Sequence, residues 1–273
     1  MPETPGSVAV SRRHPVPAGE LTYEPAERWV RGTIGETTVV DSRSPLLLWE
    51  PGRAVPRYLF PAADVRTDLL ELASPPSGVG HPGAASWYDL VLDGRRYPHL
   101  VWSYEGDELA GYYSFEWFGR TEPGVEHWFE EDEEIFIHPR DPYKRVDPLR
   151  SSRHVVVSFA GKVLADTHHP VLLFETRLPI RYYFPPEDVD FSLLEPTELR
   201  TGCPYKGFAR YWSVKGAGAA GENIVWSYPE PIGAAANIKG LVAFYNEVVD
   251  LTVDGVPLDR PVSEFTSRLA AGA

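Results

Sequence analysis

The sequence predicts a mainly β protein built from two homologous small domains in tandem, with a few short helices. Three observations carry that expectation. Prolines number 27 in 273 residues, about twice the usual share, and their spacing beside Gly and Asp breaks long helices and favours short strands. Segments dense in β-branched and aromatic residues alternate with those breaks. One long pattern of residues also occurs twice.

Thr37–Asp41, Val155–Phe159, Val163–Asp166, Val171–Glu175 and Val248–Val253 read as strands on composition. Asp93-Gly94 and Asp254-Gly255 lie between apolar stretches, where such dipeptides supply the positive φ of tight hairpins. Helix is expected only as short turns after Pro61 and Pro186, and over Ile232–Lys239, closed by Gly240. The glycines from Gly216 to Gly221 read as a hairpin loop rather than a phosphate loop.

The repeat is seen by setting Asp41–Leu48 (DSRSPLLL) against Asp166–Leu173 (DTHHPVLL), a displacement of 125. Glu50 then falls on Glu175, and Tyr58-Leu59-Phe60-Pro61 falls on Tyr182-Tyr183-Phe184-Pro185 after one residue drops out. Asp64-Val65 matches Asp188-Val189, and Leu69-Leu70-Glu71 matches Leu193-Leu194-Glu195. Trp87 is set against Trp212, Val101-Trp102-Ser103-Tyr104 recurs verbatim as Val225-Trp226-Ser227-Tyr228, and Phe115 answers Phe244. The expected organisation is a flexible segment 1–24, a first domain 25–140, a linker 141–154, a second domain 155–262 and a tail 263–273.

Lys and Arg total 26 against 39 Asp and Glu, a formal charge of −13, which disfavours a nucleic-acid partner. A single cysteine, Cys203, excludes an internal disulfide and a cysteine-built zinc knuckle. No apolar run reaches the ~20 residues of a membrane-spanning helix, and the N-terminal stretch has no signal-peptide apolar run, so a cytoplasmic protein with no membrane partner is expected. No cofactor and no metal ligand set are predicted. His168-His169 lies between two strands, where neighbouring side chains diverge. The acidic run 130–134 reads as a solvated face, with a cation or basic partner as the alternative.

Apolar pairs kept in both copies need only core packing; the polar ones ask for more. Glu50 and Glu175 each close an apolar strand, where a buried carboxylate without partners would be costly. Each is either bonded within a turn or faces a pocket. Asp64 and Asp188 follow prolines and read as carboxylates at short helix starts. The repeated Trp-Ser-Tyr fits either a core or a pocket wall, since Trp and Tyr carry polar tips. The stretch Cys203-Pro204-Tyr205-Lys206-Gly207 predicts a tight, exposed turn with a thiol near an ammonium, an arrangement that favours thiolate. Its alternative is a buried cysteine with Lys206 paired to a carboxylate such as Glu175. The first copy has Gly78-Val79-Gly80-His81-Pro82-Gly83 there, so only the second domain would hold a full site.

Glu175, Tyr182-Tyr183-Phe184-Pro185, Asp188-Val189, Thr201–Gly207, Tyr211-Trp212, Val225–Pro229 and Leu241–Tyr245 together resemble the domain-of-unknown-function family 427. The resemblance covers nearly all of the second copy and, more loosely, the first, as in the tandem members of that family. It implies a curled antiparallel sheet of the β-tent type and no settled activity. The nucleotidyltransferase-like label sometimes given to the family would need paired carboxylates for Mg²⁺ and a phosphate cradle. Asp188-Val189-Asp190 is the only Asp-x-Asp in the second copy, and Arg66 replaces its last member in the first.

The expected function is a small-molecule site in the second domain. Tyr183, Tyr205, Trp212, Trp226 and Tyr228 would bind the ligand. Lys206 would be its electrostatic stabiliser, Glu175 its acid or base and Cys203 its nucleophile, if it is an enzyme. The alternative is a non-catalytic module that binds a ligand or peptide.

Overall fold

A computed structural model describes residues 21–53, 55–76, 84–104, 108–117, 124–263 and 265–266, and the chain divides into two compact units between Asp141 and Pro142. The first unit holds β1 (Thr22–Pro25), β2 (Val30–Ile34), β3 (Thr37–Ser42), β4 (Leu46–Trp49), β5 (Arg57–Pro61), β6 (Leu70–Ala73), β7 (Ala84–Leu92), β8 (Arg95–Tyr104), β9 (Tyr112–Phe115), β10 (His127–Glu130) and β11 (Glu133–Ile135). The second holds β12 (Val146–Arg150), β13 (Val155–Phe159), β14 (Lys162–Thr167), β15 (Val171–Glu175), β16 (Arg181–Phe184), β17 (Leu194–Cys203), β18 (Gly207–Val214), β19 (Val225–Ser227), β20 (Val242–Phe244), β21 (Asp250–Val253) and β22 (Val256–Leu258).

Each strand of the first unit has its counterpart eleven places later. The larger sheets run β1-β4-β5-β9-β8-β7-β6 and β12-β15-β16-β20-β19-β18-β17, and the smaller ones β11-β10-β2-β3 and β22-β21-β13-β14, all antiparallel and open. Even irregularities recur: the β2–β3 pairing slips between Gly32 and Thr33, and β13–β14 slips between Val157 and Ser158. The fold is the expected one, mainly β in two similar halves with few short helices. No helix among the described residues is long and apolar enough to cross a membrane.

Local chemistry explains the turns. Asp93-Gly94 and Asp254-Gly255 both hold positive φ at both residues, the geometry that a two-residue hairpin needs. The turns after proline are 3-10, at Ala62–Asp64 and Pro186–Asp188, as is Gly233–Ile238 within the expected helix. Asp64 and Asp188 do a shared structural job there. Ser42 Oγ donates to Asp64 and Thr167 Oγ1 donates to Asp188, each at 2.6 Å, pinning the end of β3 or β14 to the turn.

Two apolar clusters fill each unit, one on either face of its larger sheet. Between the sheets of the first unit lie Val30, Val40, Phe60, Val101, Phe115 and Trp128; Val155, Ala165, Phe184, Val225 and Phe244 do the same in the second. On the outer face lie Leu48, Leu59, Trp87, Trp102 and Tyr104 in one copy, and Leu173, Tyr183, Tyr211, Trp226 and Tyr228 in the other. Strand alternation assigns the faces, because successive side chains point opposite ways.

Several sequence expectations change. Trp102 faces Trp87, while Trp226 faces Tyr211 across the strand pair, so Trp87 corresponds to Tyr211 and not to Trp212. The stretch 141–154, expected as a linker, carries β12, which pairs with β15 along its whole length, and β1 likewise begins within the segment 1–24. Glu130, read as part of a solvated acidic face, is buried: its carboxylate accepts from Tyr58 Oη at 2.9 Å, Arg28 at 3.0 Å and Arg140 at 3.0 Å. Its place on β10 turns it inward while Glu131 to Glu134 stay exposed. Residues 78–83, the first copy's match to the Cys203–Gly207 turn, lie outside the described residues.

Leu48 and Leu173 are fully buried at equivalent places. Leu48→Ala and Leu173→Ala are each expected to cost about 2–5 kcal/mol, read by chemical denaturation. A loss below ~1 kcal/mol at either would contradict the packing.

Candidate functional site

Glu175 ends β15, and the chain turns immediately after it: Leu178 N donates to Glu175 O at 3.2 Å, and Arg177 takes a positive φ. Its carboxylate is buried beneath the aromatic cluster of the outer face. A carboxylate withdrawn from water this way demands cations, and two reach it. Lys206 Nζ lies 2.5 Å from Oε2 and Lys144 Nζ lies 3.1 Å from Oε1. Glu50 in the first copy is buried in the same way, with Arg53 Nε and Arg57 Nε each at 2.9 Å and Tyr104 Oη at 3.1 Å. The retained glutamates are therefore buried ion-pair centres in both domains.

The hairpin between β17 and β18 delivers Lys206. Lys206 N donates to Cys203 O at 3.2 Å, closing a turn with Pro204 at its second position, and Gly207 follows at φ +95°. A side chain at Gly207 would also meet Glu230 O at 3.0 Å, so glycine is required twice over. The turn was expected to be exposed. Pro204, Lys206 and Gly207 are instead buried, because the Glu230–Ile232 backbone crosses the turn and Ile232 N donates to Lys206 O at 3.2 Å. Cys203 is a free thiol and half-buried, as is Tyr205.

Lys144 was not expected in the site. Arg145 N donates to Thr176 Oγ1 at 2.8 Å, Thr176 N to Arg145 O at 3.1 Å, and Lys144 Nζ to Thr176 O at 3.0 Å. That ladder clips the segment before β12 onto the residue after Glu175. Tyr183 and Tyr228 complete the surroundings, both buried, with Trp226 Nε1 donating to Tyr183 Oη at 3.1 Å. Trp226 is braced in turn by Tyr245 and by the Arg181 guanidinium, which is held by Glu247 at 2.6 and 2.7 Å. Trp212 does not join them. It lies on the opposite face, against Phe191 and Arg210, and Tyr211 takes the inward position, its hydroxyl 2.8 Å from Thr201 Oγ1.

The charges reinforce one another. Burial pushes the Glu175 carboxyl up, but Lys206 and Lys144 overturn this and hold it below its ordinary 4.5. Burial pulls the Lys206 ammonium down, yet Glu175, helped by Tyr228, Cys203 and Tyr183, holds it well above 10.5. Burial raises Tyr183 to about 12, partly countered by Lys206, and raises Tyr228 well above 10. At neutral pH the site thus contains charged Lys206 and Glu175 beside neutral phenols.

Asp188 and Asp190 are committed elsewhere, to Thr167 and to Ser192 N at 2.9 Å. His154 stacks on His168 at 4.1 Å with its Nε2 2.7 Å from Asp166. No group of three or more His, Cys, Asp or Glu among the described residues is arranged to hold a metal ion.

No curated protein matches the chain. The model of a protein family, the domain of unknown function DUF427, matches it twice, over residues 22–127 and again over 147–255. The first matched stretch covers β1 to β9 and the second covers β12, but for Val146, through β21, and the chain therefore belongs to the DUF427 family, of which it carries two copies in tandem.

Proposed function

We propose that the second domain is a small-molecule binding site centred on Lys206, with Tyr183, Tyr205 and Tyr228 as its aromatic surroundings, and that the first domain is its structural counterpart. The observation that carries this reading is the buried Lys206–Glu175 pair within an aromatic cluster. The first copy meets the same burial with arginines and places Leu59 where the second has Tyr183. An ammonium kept charged acts electrostatically, as an anchor for a ligand or a stabiliser of developing negative charge, not as a base or amine nucleophile. Glu175, kept ionised by two lysines, fixes that anchor. Thiol chemistry at Cys203 is the second reading, favoured by its half-exposed position beside the Lys206 charge. Metal-assisted nucleotidyl transfer is not part of the proposal, because Asp188 and Asp190 are taken up in structural hydrogen bonds.

A thermal-shift screen of metabolites tests the site. A stabilising compound is expected whose effect disappears in Lys206→Met and persists in Cys203→Ser. Turnover of that compound, lost in Cys203→Ser, would support the thiol reading instead. Stabilisation that is indifferent to Lys206 overturns the assignment.

The ion pair also sets a pH profile. Glu175 has a folded pKa below 4.5, so its contribution is present above that value and is lost as acid titrates the folded carboxylate. Lys206 has a folded pKa above 10.5, so its contribution is complete below 10.5 and is lost as alkali titrates the folded ammonium. Denaturant titrations of the wild type should therefore show a second-domain contribution that is level between pH 4.5 and 10.5 and falls on both sides. Lys206→Met should cost about 3 kcal/mol at neutral pH, at the low end for a broken buried pair because Lys144 remains, and should flatten the alkaline limb. An unchanged alkaline limb would show that the pair does not stabilise the fold.

A further inference from the structure

The two copies solve the same electrostatic problem with different sums. In the first, among the described residues, two guanidiniums (Arg53 and Arg57) meet two carboxylates, Glu50 at 2.9 Å from both and Glu116 at 3.8 Å from Arg57. In the second, among the described residues, Arg181 and Glu247 cancel as a pair, which leaves two ammonium groups, Lys206 and Lys144, facing the single carboxylate of Glu175. Among these residues one positive charge is left over, shared between a buried ammonium and a partly exposed one.

Donor satisfaction points the same way. An ammonium carries three N–H donors, and Glu175 is the only acceptor that the Lys206 ammonium meets among the described residues. The Lys206 side chain is only 10% exposed, so water has little room to take the remaining donors. After Glu175, the groups that act on its charge are Tyr228, Cys203 and Tyr183. The two phenols stay neutral to well above physiological pH, because burial disfavours phenolate, and so supply no anion. Lys144, at 20% exposed, with half-buried Cys203 and Tyr205, keeps the cluster reachable from solvent.

We propose that the second-domain site takes a monoanionic carboxylate as its ligand, held by the ammonium groups of Lys206 and Lys144. This rests on the reading of that site as ligand-binding. A single negative charge completes the cluster, whereas a dianion such as phosphate or sulfate would bring a new unpaired charge under the surface. A carboxylate also offers two acceptor oxygens to the donors that Glu175 leaves unused. Among the described residues, the free sulfur of Cys203 is the internal group that could compete with a ligand for this charge.

The test uses the full chain with ¹⁵N-labelled lysines; five lysines in the sequence make the Nζ signals assignable. Formate, the smallest carboxylate, is titrated at constant ionic strength against chloride, with formamide as its neutral counterpart and sulfate as the dianion. Formate should move the Lys206 and Lys144 signals along a saturating curve, with formamide and sulfate leaving them in place. Lys144→Gln keeps Glu175 paired with Lys206 and should weaken formate binding about tenfold or more, the loss of roughly one charge-assisted contact, with circular dichroism unchanged. A formate response that fails to saturate, or that sulfate or chloride reproduces, overturns the proposal. So does rapid alkylation of Cys203 by iodoacetamide at neutral pH that formate does not slow, since the thiolate then supplies the missing charge. Binding of formamide as tight as that of formate, lost in Lys206→Met, removes the carboxylate assignment and leaves the site standing. If formate fails and no screened compound depends on Lys206, both readings fall together.

Discussion

A glutamate buried at the end of the fourth strand of each copy is the constraint around which both domains are arranged. Withdrawing that carboxylate from water is costly enough that cations must be brought to it, and the fold brings them from wherever it can. In the first domain they come from the loop after β4 and from β5, as Arg53 and Arg57. In the second they come from a hairpin thirty-one residues later and from the segment ahead of β12. The Gly207 turn, the Thr176 ladder and the Glu230–Ile232 crossing all serve to hold Lys206 and Lys144 where Glu175 needs them.

Meeting the buried carboxylate with lysines from other elements, while Arg181 is kept where the first copy has Arg57, changes what such a centre can do. A guanidinium spreads its charge and fills its planar donor set against neighbouring carboxylates, as Arg181 does with Glu247. An ammonium is a compact charge with donors left to direct elsewhere. The two domains share a strand plan, two face-packed cores and the Asp64 and Asp188 pins, yet differ in the chemistry exposed around an equivalent carboxylate. A duplication supplies the means for this divergence, since one copy can keep the architecture while the other changes its cations.

Much of the architecture was legible because it is local. Val155–Phe159 and Val171–Glu175 match the strands residue for residue, since β-branched runs bounded by turns leave little choice. The pairing of Lys206 with a carboxylate such as Glu175 was readable as an alternative from a lysine in a tight turn and a glutamate ending an apolar strand. What failed depended on register or distance. Trp87 and Trp212 align as letters, but strand pairing puts Tyr211 opposite Trp226, and a one-residue slip moves a side chain to the other face. Lys144 was missed because β12 shares no residue with β1: Asp147-Pro148-Leu149-Arg150 stands where the first copy has Thr22-Tyr23-Glu24-Pro25. Glu130 was hidden in a run of acids, where composition says surface and only strand alternation says otherwise.

The connection between the copies was also subtler than its proline and charges suggested. Asp141 accepts from Trp49 Nε1 at 3.1 Å and so belongs to the first domain, while Arg145 and Lys144 are already bound to Thr176 of the second. Pro142 and exposed Tyr143 are nearly all that lies between. The two copies are thus joined almost without a spacer, and the stretch that links them also donates a charged side chain to the later one. Any boundary drawn to excise the second domain at the start of its central strands would cut away that side chain along with the seam.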